Sequence, residues 1–314
     1  MNTGQVRLTH PQRVLWPSGP GGPARTKADY LVYLAQVAPW VLPHLRDRPL
    51  VLTRYPRGAQ AEGFYQKQLP AGAPPWLRSF PHLSAAGRLI RYLVVDSPAA
   101  LLWLGQQAAL EFHPWMSRVD DPEHPDLAVI DLDPMPPTGF AEARAVAMAV
   151  GEFLDRVGVR AWPKTSGATG VHLFVPVPRG SPWQQVREHL GALALALSRR
   201  WPERVTVERA VHRRGGRVYF DYLQNGAGRT VCAPYSPRPL PGAPVSTPLR
   251  WDELERGTRP EDWNLETVAL RLRRQGDAWA DLRRAPPQDL GPLRGLAPVP
   301  SGERSQEEGG VSWR

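Results

Sequence analysis

The segment LAVIDLDP, residues 127–134, sets two aspartates two positions apart inside an otherwise apolar run, and no other stretch restricts the fold so tightly. On a strand, residues i and i+2 face the same way, so Asp131 and Asp133 project together while Val129, Ile130 and Leu132 pack the strand. Two carboxylates that close repel, and a bare pair drives one pKa up. A divalent cation removes the conflict. Paired hard oxygen ligands suit Mg2+ or Mn2+, and a two-ion site activates an attacking oxygen and stabilises a leaving one. The other reading is that these aspartates merely end the strand, one capping the turn before Pro134. A second apolar run, VYFDYL, supplies Asp221. Three acids on two strands can share a metal site; alternatively, Asp221 lies at an edge and faces water.

A chain of 314 residues can bury a sizeable core, as one large domain or two smaller ones. Its 36 prolines imply short elements joined by stiff loops, so long uninterrupted helices are not expected. The formal charge of +9 favours a polyanionic partner, with solubility charge as the plainer explanation. Cys232 is the single cysteine, which excludes an internal disulfide and fits a reducing compartment. The first residues lack an apolar signal core and no window is apolar enough to span a bilayer, so a cytoplasmic, nucleoid-associated protein without membrane contact is expected.

Along the chain, Thr26 reads as the cap of a helix from about Lys27 to Ala38, stopped by Pro39. PLVLTRY (49–55) reads as a strand, GFYQKQLP (63–70) as a polar-aromatic loop, and SPAALLWLGQQAALEF (97–112) as a buried helix. A polar connection, 113–126, leads to the strand LAVIDLDP. Helical spacing covers 139–157 before Gly158, 181 to about 200, and about Leu265–Arg274. Strands are expected at 160–162 and 171–177, and as a pair joined by a glycine-containing turn within 215–236. PRPLPGAPVSTP (237–248) is a Pro-rich wrap or linker. Residues 1–285 then form one domain, and 286–314 have the composition of a flexible tail. Helices and strands intermixed through 50–235 argue an α/β or α+β fold.

KTSGATGVHLFV (164–175) joins a glycine-bearing turn to Ser166 and to His172 at the start of a strand. Backbone N–H groups in such turns bind anions, and histidine can donate to a phosphate oxygen, although serine–glycine turns are common and strand histidines are usually just packed. There is no Walker-type loop, no zinc spacing and no G-x-S-x-G elbow, which leaves carboxylate-held metals acting on phosphates.

The blocks DLDP (131–134), TSG-x-x-G-x-H (165–172), FDYLQN (220–225), APYS (233–236) and PRPLPGAPVSTPLRWDEL (237–254) occur in an order that resembles the polymerase domain of bacterial ligase D. That family belongs to the archaeo-eukaryotic primase superfamily and serves non-homologous end joining. The resemblance runs from LTHPQRVLWP at Leu8 to DAWADL near residue 282. It implies an α/β (α+β) primase-like core, with mixed or antiparallel sheets forming a central cleft flanked by helices.

The resemblance also implies roles. Asp131, Asp133 and Asp221 match the catalytic triad that holds two Mn2+ or Mg2+ ions. Ser166 and His172 match the nucleotide-binding turn, Arg238 an arginine near the triphosphate, and His113 and Gln224, with Asn225 beside it, blocks around the nucleotide. Arg13, Lys27 and His10 match positions that recognise a DNA 5′-phosphate. Phe64 and Tyr65 fall where aromatic rings stack on template bases, and Arg54 and Lys67 where phosphates are contacted. Thr169 stands where the family usually has lysine, with Lys164 upstream as its substitute. The activity implied is addition of NTPs or dNTPs to a 3′-OH at gaps or broken ends. A replicative-type primase and a non-catalytic end-binding protein are the alternatives. No K-x-D-G ligase motif follows and no phosphoesterase module precedes, so a stand-alone or separately encoded polymerase is expected, partnered by Ku and a separate ATP-dependent DNA ligase.

Overall fold

The computed structural model describes residues 6–84 and 86–296. The first half runs β1 (Val14–Trp16), β2 (Arg25–Thr26), α1 (Lys27–Leu45), β3 (Leu50–Arg54), β4 (Phe64–Gln66), β5 (Ser79–Leu83), β6 (Leu89–Leu93), α2 (Pro98–Gln106) and β7 (Ala109–Pro114). The second half runs β8 (Leu127–Pro134), α3 (Phe140–Arg156), β9 (Trp162–Thr165), β10 (Val171–Pro176), α4 (Trp183–Arg200), β11 (Val205–Thr206), β12 (Val218–Asp221), α5 (Trp251–Glu255) and α6 (Leu265–Gln275).

Two five-stranded sheets result, each with its own core. In the first, β3 pairs with β7 along one edge and with β4 and β6 along the other, and β5 extends β6, all antiparallel. Leu50, Leu52, Leu110 and Phe112 pack it against Leu34 and Val41 of α1, Leu101 and Leu104 of α2, and Val268 and Leu272 of α6. The second sheet has the order β11-β12-β8-β10-β9, antiparallel except for β11 with β12. Ile130, Leu132, Val171, Leu173, Val218 and Phe220 bury one of its faces under Val146, Val150 and Leu154 of α3 and Leu190, Leu193 and Leu197 of α4. No helix among the described residues is long and apolar enough to cross a membrane.

Several expectations need correction. The first helix does not stop at Pro39 but continues through Pro39 and Pro43 to Leu45. Each proline removes a helical hydrogen bond, and burial of Tyr30, Leu34, Val37, Val41 and Leu45 compensates. Thr26 does cap it, accepting from Asp29 N while Asp29 accepts from Thr26 N. Helices of 17 to 19 residues therefore coexist with the prolines. The helix read over 97–112 ends at Gln106: Ala108 takes a left-handed φ of 54°, and the chain re-enters as β7. The loop at 63–70 contains β4, and the hairpin of β5 and β6 was not foreseen.

Within 215–236 only β12 forms. After Asp221 the chain turns into a short 3-10 helix, and the fully buried Asn225 takes over the ladder: its Oδ1 accepts from Val129 N at 2.9 Å and its Nδ2 donates to Val129 O at 2.7 Å. The chain then crosses to the first sheet, where Ala233 N donates to Phe112 O. Residues 237–248 form the ordered wrap rather than a linker; Trp16 Nε1 donates to Arg238 O, and Pro237 bridges to Val245. Part of the expected tail is packed: Gln288 N donates to Pro176 O, and Leu290 and Leu293 are buried in the second core. Residues 297–314 of that tail lie outside the described residues.

Tyr235 joins the two halves in a left-handed conformation, φ 63°, that a bulky residue rarely adopts. Its hydroxyl donates to Asp277 Oδ1 at 2.6 Å, its carbonyl accepts from Tyr33 OH at 2.8 Å, and His44 Nε2 is 2.8 Å from Asp277 Oδ2. Burial pushes the Asp277 carboxyl up, but the hydrogen bonds from His44 and Tyr235 outweigh it and hold the pKa below the usual value. A depressed folded-state pKa contributes stability above the unfolded value, lost as pH falls through the folded one. Asp277→Asn is therefore expected to cost about 2 kcal/mol near pH 7. Chemical denaturation at stepped pH should show the gap to wild type closing below about pH 4; a gap that stays constant down to pH 2.5 contradicts the assignment.

Candidate active site

Strand register assembles the acids. Across the second sheet Asp221 pairs with Asp131, Asp131 with His172, and His172 with Lys164. Directly paired residues share a face, so these four side chains form one row on the side away from α3 and α4, and Asp133 follows two positions along β8, opposite Tyr219. Asp221, partly buried, is paired with Asp131 on one side, while β11 flanks β12 only at Val218 and Tyr219. Gly170 closes the turn beside Asp133; a Cβ there would lie 2.6 Å from Leu132 O and 3.0 Å from Asp133 Oδ1.

Burial sets the electrostatics. It pushes the Asp131 carboxyl to about 6, against the pull of Lys164 and Arg238. Asp133 rises to about 7, through burial and then the charges of Asp131 and Asp221. Asp221 also rises, by burial and the neighbouring Asp131. Burial and then Lys164 hold His172 far below its ordinary value, so its imidazole is neutral. His172 Nε2 is 3.1 Å from Asp131 Oδ1, yet the contact lacks hydrogen-bond geometry, and Asp131 Oδ1 and His172 Nδ1 have no hydrogen-bond partner. The nearby Gln224 side chain also favours the ionised form of Asp131, and Asp221 Oδ1 accepts from Leu223 N at 3.0 Å. Arg214 lies 3.7 Å over the Tyr219 ring and draws on all three acids; nothing in the sequence reading had singled it out.

Among the described residues no three His, Cys, Asp or Glu side chains close around a point as a ligand cage. The donor chemistry nonetheless fits a hard divalent cation: oxygen ligands, mutual repulsion that a cation cancels, and a buried carboxylate oxygen without a hydrogen-bond partner.

Beside this row stands the glycine turn. Ser166 Oγ accepts from Ala168 N and Gly170 N, so the hydroxyl shapes the turn that presents the exposed Thr169. Gly167, at φ 79°, leaves room for Arg238, whose Cγ would be 2.7 Å from an added Cβ. Lys164 does not replace a lysine at position 169. Its ammonium is fully buried on Ser246 Oγ and Thr165 O, and burial lowers its pKa to about 7. Arg238 donates from Nη1 to Ser166 O at 2.9 Å, and its Nε is 2.7 Å from Glu111, a buried carboxylate the sequence reading passed over. His113 is 3.7 Å from the same carboxylate and 3.2 Å from Thr53 Oγ1.

The remaining residues lie further out. Lys27 Nζ donates to Thr9 O and Gln106 O, and its pKa is lowered by burial and by Arg13. Lys27 N and Ala28 N donate to Arg13 O and Pro11 O, which wraps the segment containing the exposed His10 and Arg13 around the start of α1. Phe64 and Tyr65 are 46% and 71% exposed and, as successive strand residues, project to opposite faces; Tyr65 shares the side of His113, 6.1 Å between ring centres. Lys67 is exposed. Arg54, expected on a phosphate, instead donates from Nε, Nη1 and Nη2 to Gln107 O, Gln66 Oε1 and Gln107 Oε1, and so ties the β3–β4 hairpin down.

A family model described as LigD, primase-polymerase domain, matches residues 26–279. The chain is 34% identical over 263 residues to the bifunctional non-homologous end joining protein LigD of Bacillus subtilis, covering 83% of this chain and 42% of that protein. Against the multifunctional non-homologous end joining protein LigD of Pseudomonas aeruginosa it is 34% identical over 281 residues, 89% of this chain and 33% of the relative. It spans less than half the length of either. A solved polymerase domain from Mycobacterium tuberculosis ligase D, in complex with DNA, superposes with a TM-score of 0.81 at 31% identity, over 90% of this chain and 99% of that one.

Gly170→Ala tests the packing of the row. Its methyl must part β10 from β8 beside Asp133, which should cost about 1–3 kcal/mol and lower the melting temperature. An unchanged melting temperature would show that the approach is not constrained.

Proposed function

Because the chain belongs to the LigD primase-polymerase family, we propose that it is a nucleotidyltransferase adding NTPs or dNTPs to a 3′-OH at gaps or broken ends of DNA in non-homologous end joining, copying a template where one exists. The observation that carries this reading is the convergence of Asp131, Asp133 and Asp221 on one sheet face, with a buried Asp131 oxygen that has no hydrogen-bond partner. A protein that only binds DNA ends gains nothing from three like charges in a sheet interior.

In this mechanism Asp131, Asp133 and Asp221 would together hold two divalent ions, Mn2+ or Mg2+. Bound there, such ions make the primer hydroxyl a stronger nucleophile and offset charge on the triphosphate in an in-line displacement. The chain's own groups do the rest. Gln224 stands near Asp131 and favours its ionised form. Neutral His172 keeps a proton to donate without adding charge, and Ser166 shapes the turn against which Arg238 and His113 receive the triphosphate. Lys27, Arg13 and His10, gathered where α1 begins, take the 5′-phosphate beyond the gap, with the helix N-terminus adding a favourable field. Tyr65 and Phe64 offer exposed rings to template bases, and Lys67 a phosphate contact. In end joining this activity would act alongside Ku and an ATP-dependent DNA ligase activity, in the cytoplasm.

Asp131→Ala should slow primer extension on a gapped duplex about a thousandfold, the several kcal/mol expected of a lost metal site, while DNA affinity persists. Extension at the wild-type rate would refute the assignment, and efficient synthesis on unprimed single strands would favour a primase instead. Lys27→Ala should weaken binding to 5′-phosphorylated gaps and reduce the slope of log K against log salt by about 1. Wild-type affinity that is indifferent to the 5′-phosphate contradicts that placement.

A further inference from the structure

The first sheet carries a polar row of its own. Tyr65 pairs with Thr53 and Thr53 with Glu111, and His113 follows Glu111 two positions along β7, so these side chains share one face. Glu111 is 4% exposed. Its Oε1 is 2.7 Å from Arg238 Nε, and its Oε2 accepts from Tyr55 OH at 3.3 Å and lies 3.7 Å from His113 Nε2. Arg238 in turn donates to Ser166 O in the second sheet. The guanidinium is thereby held between the first sheet, by an ion pair to Glu111 that lacks hydrogen-bond geometry at Nε, and the turn after β9, by the hydrogen bond to Ser166 O. Burial alone would push the carboxyl up, but His113, Arg238 and Thr53 bring it down to about 2, so it stays ionised. Apolar residues of similar volume would stabilise the fold at least as well as a buried ion pair. The carboxylate is therefore better explained by the position it imposes on its partners.

We infer that Glu111 is a positioning residue of the nucleotide pocket: it orients Arg238 and His113 to receive the triphosphate, acting through them without touching substrate. This rests on the polymerase reading above, and preorganisation of a charged side chain is the means by which it would raise affinity.

The test is steady-state primer extension on a gapped, 5′-phosphorylated duplex, varying NTP with Mn2+ at saturating DNA, for wild type, Glu111→Gln, Glu111→Asp, Arg238→Gln and the Glu111→Gln/Arg238→Gln pair. Glu111→Gln should raise KM for the nucleotide about tenfold with kcat changed much less, and DNA affinity should be unchanged. Glu111→Asp, which keeps the charge at shorter reach, should fall between. In the Arg238→Gln background the same Glu111 substitution should add less than about twofold, since coupled residues are not additive. A wild-type KM in both Glu111 variants overturns the inference, as does a full additive penalty in the double variant. Should Glu111→Gln lose its near-ultraviolet circular dichroism, the Glu111→Asp KM decides alone. A wild-type protein that extends no primer overturns the polymerase reading itself, a result distinct from any change among the variants.

Discussion

Like charges buried on one face of β8 are the constraint around which the second sheet is built. Ile130, Leu132, Val171 and Phe220 turn to the helices, so Asp131, Asp133, His172 and Asp221 must turn the other way. A slip of one residue would send the acids into the apolar core, which pins the register strongly. Neighbouring choices follow from the same crowding: glycine at 170, where Asp133 and the Leu132 carbonyl leave no room, and Asn225, whose carboxamide continues the ladder after the chain turns away at Asp221.

The candidate site lies where the two sheets meet. Residues 230–248 leave the second sheet, pair with β7 through Ala233 and Ser236, and return through Ser246 to the turn containing Ser166. Arg238 is carried on this strap, which explains how one side chain reaches both Glu111 and Ser166. The latch of Tyr235, Asp277 and His44 holds the strap in a conformation its own backbone preference disfavours. The site therefore depends on both cores being formed, although neither core contributes an apolar side chain to the proposed chemistry.

Much of this could be read from the residues alone. The apolar runs around Asp131 and Asp221 fixed strands, and alternation put the acids on a common face; Thr26, Gly158 and Ser181-Pro182 marked helix ends close to those observed. What failed did so for identifiable reasons. AALEF continues the apolar character of α2, so only the left-handed Ala108 separates helix from strand, and a left-handed alanine leaves no mark in a sequence. With 109–112 read as helix, Glu111 and His113 did not fall on one face, and the carboxylate was overlooked. The strands SFPHL and LIRYL are short and half-exposed, one with a proline, and bury too little to show a period. Lys164 was expected to reach the glycine turn because sequence proximity does not say which way a strand side chain points.

The central claim is that the acids in register bind divalent ions. Titration of Mn2+ followed by the paramagnetic resonance of the free ion measures this without DNA or nucleotide. Wild-type protein should deplete the free signal, and an Asp131→Asn/Asp221→Asn protein of unchanged circular dichroism should leave it at the level of buffer. Equal uptake by the two proteins would contradict the account.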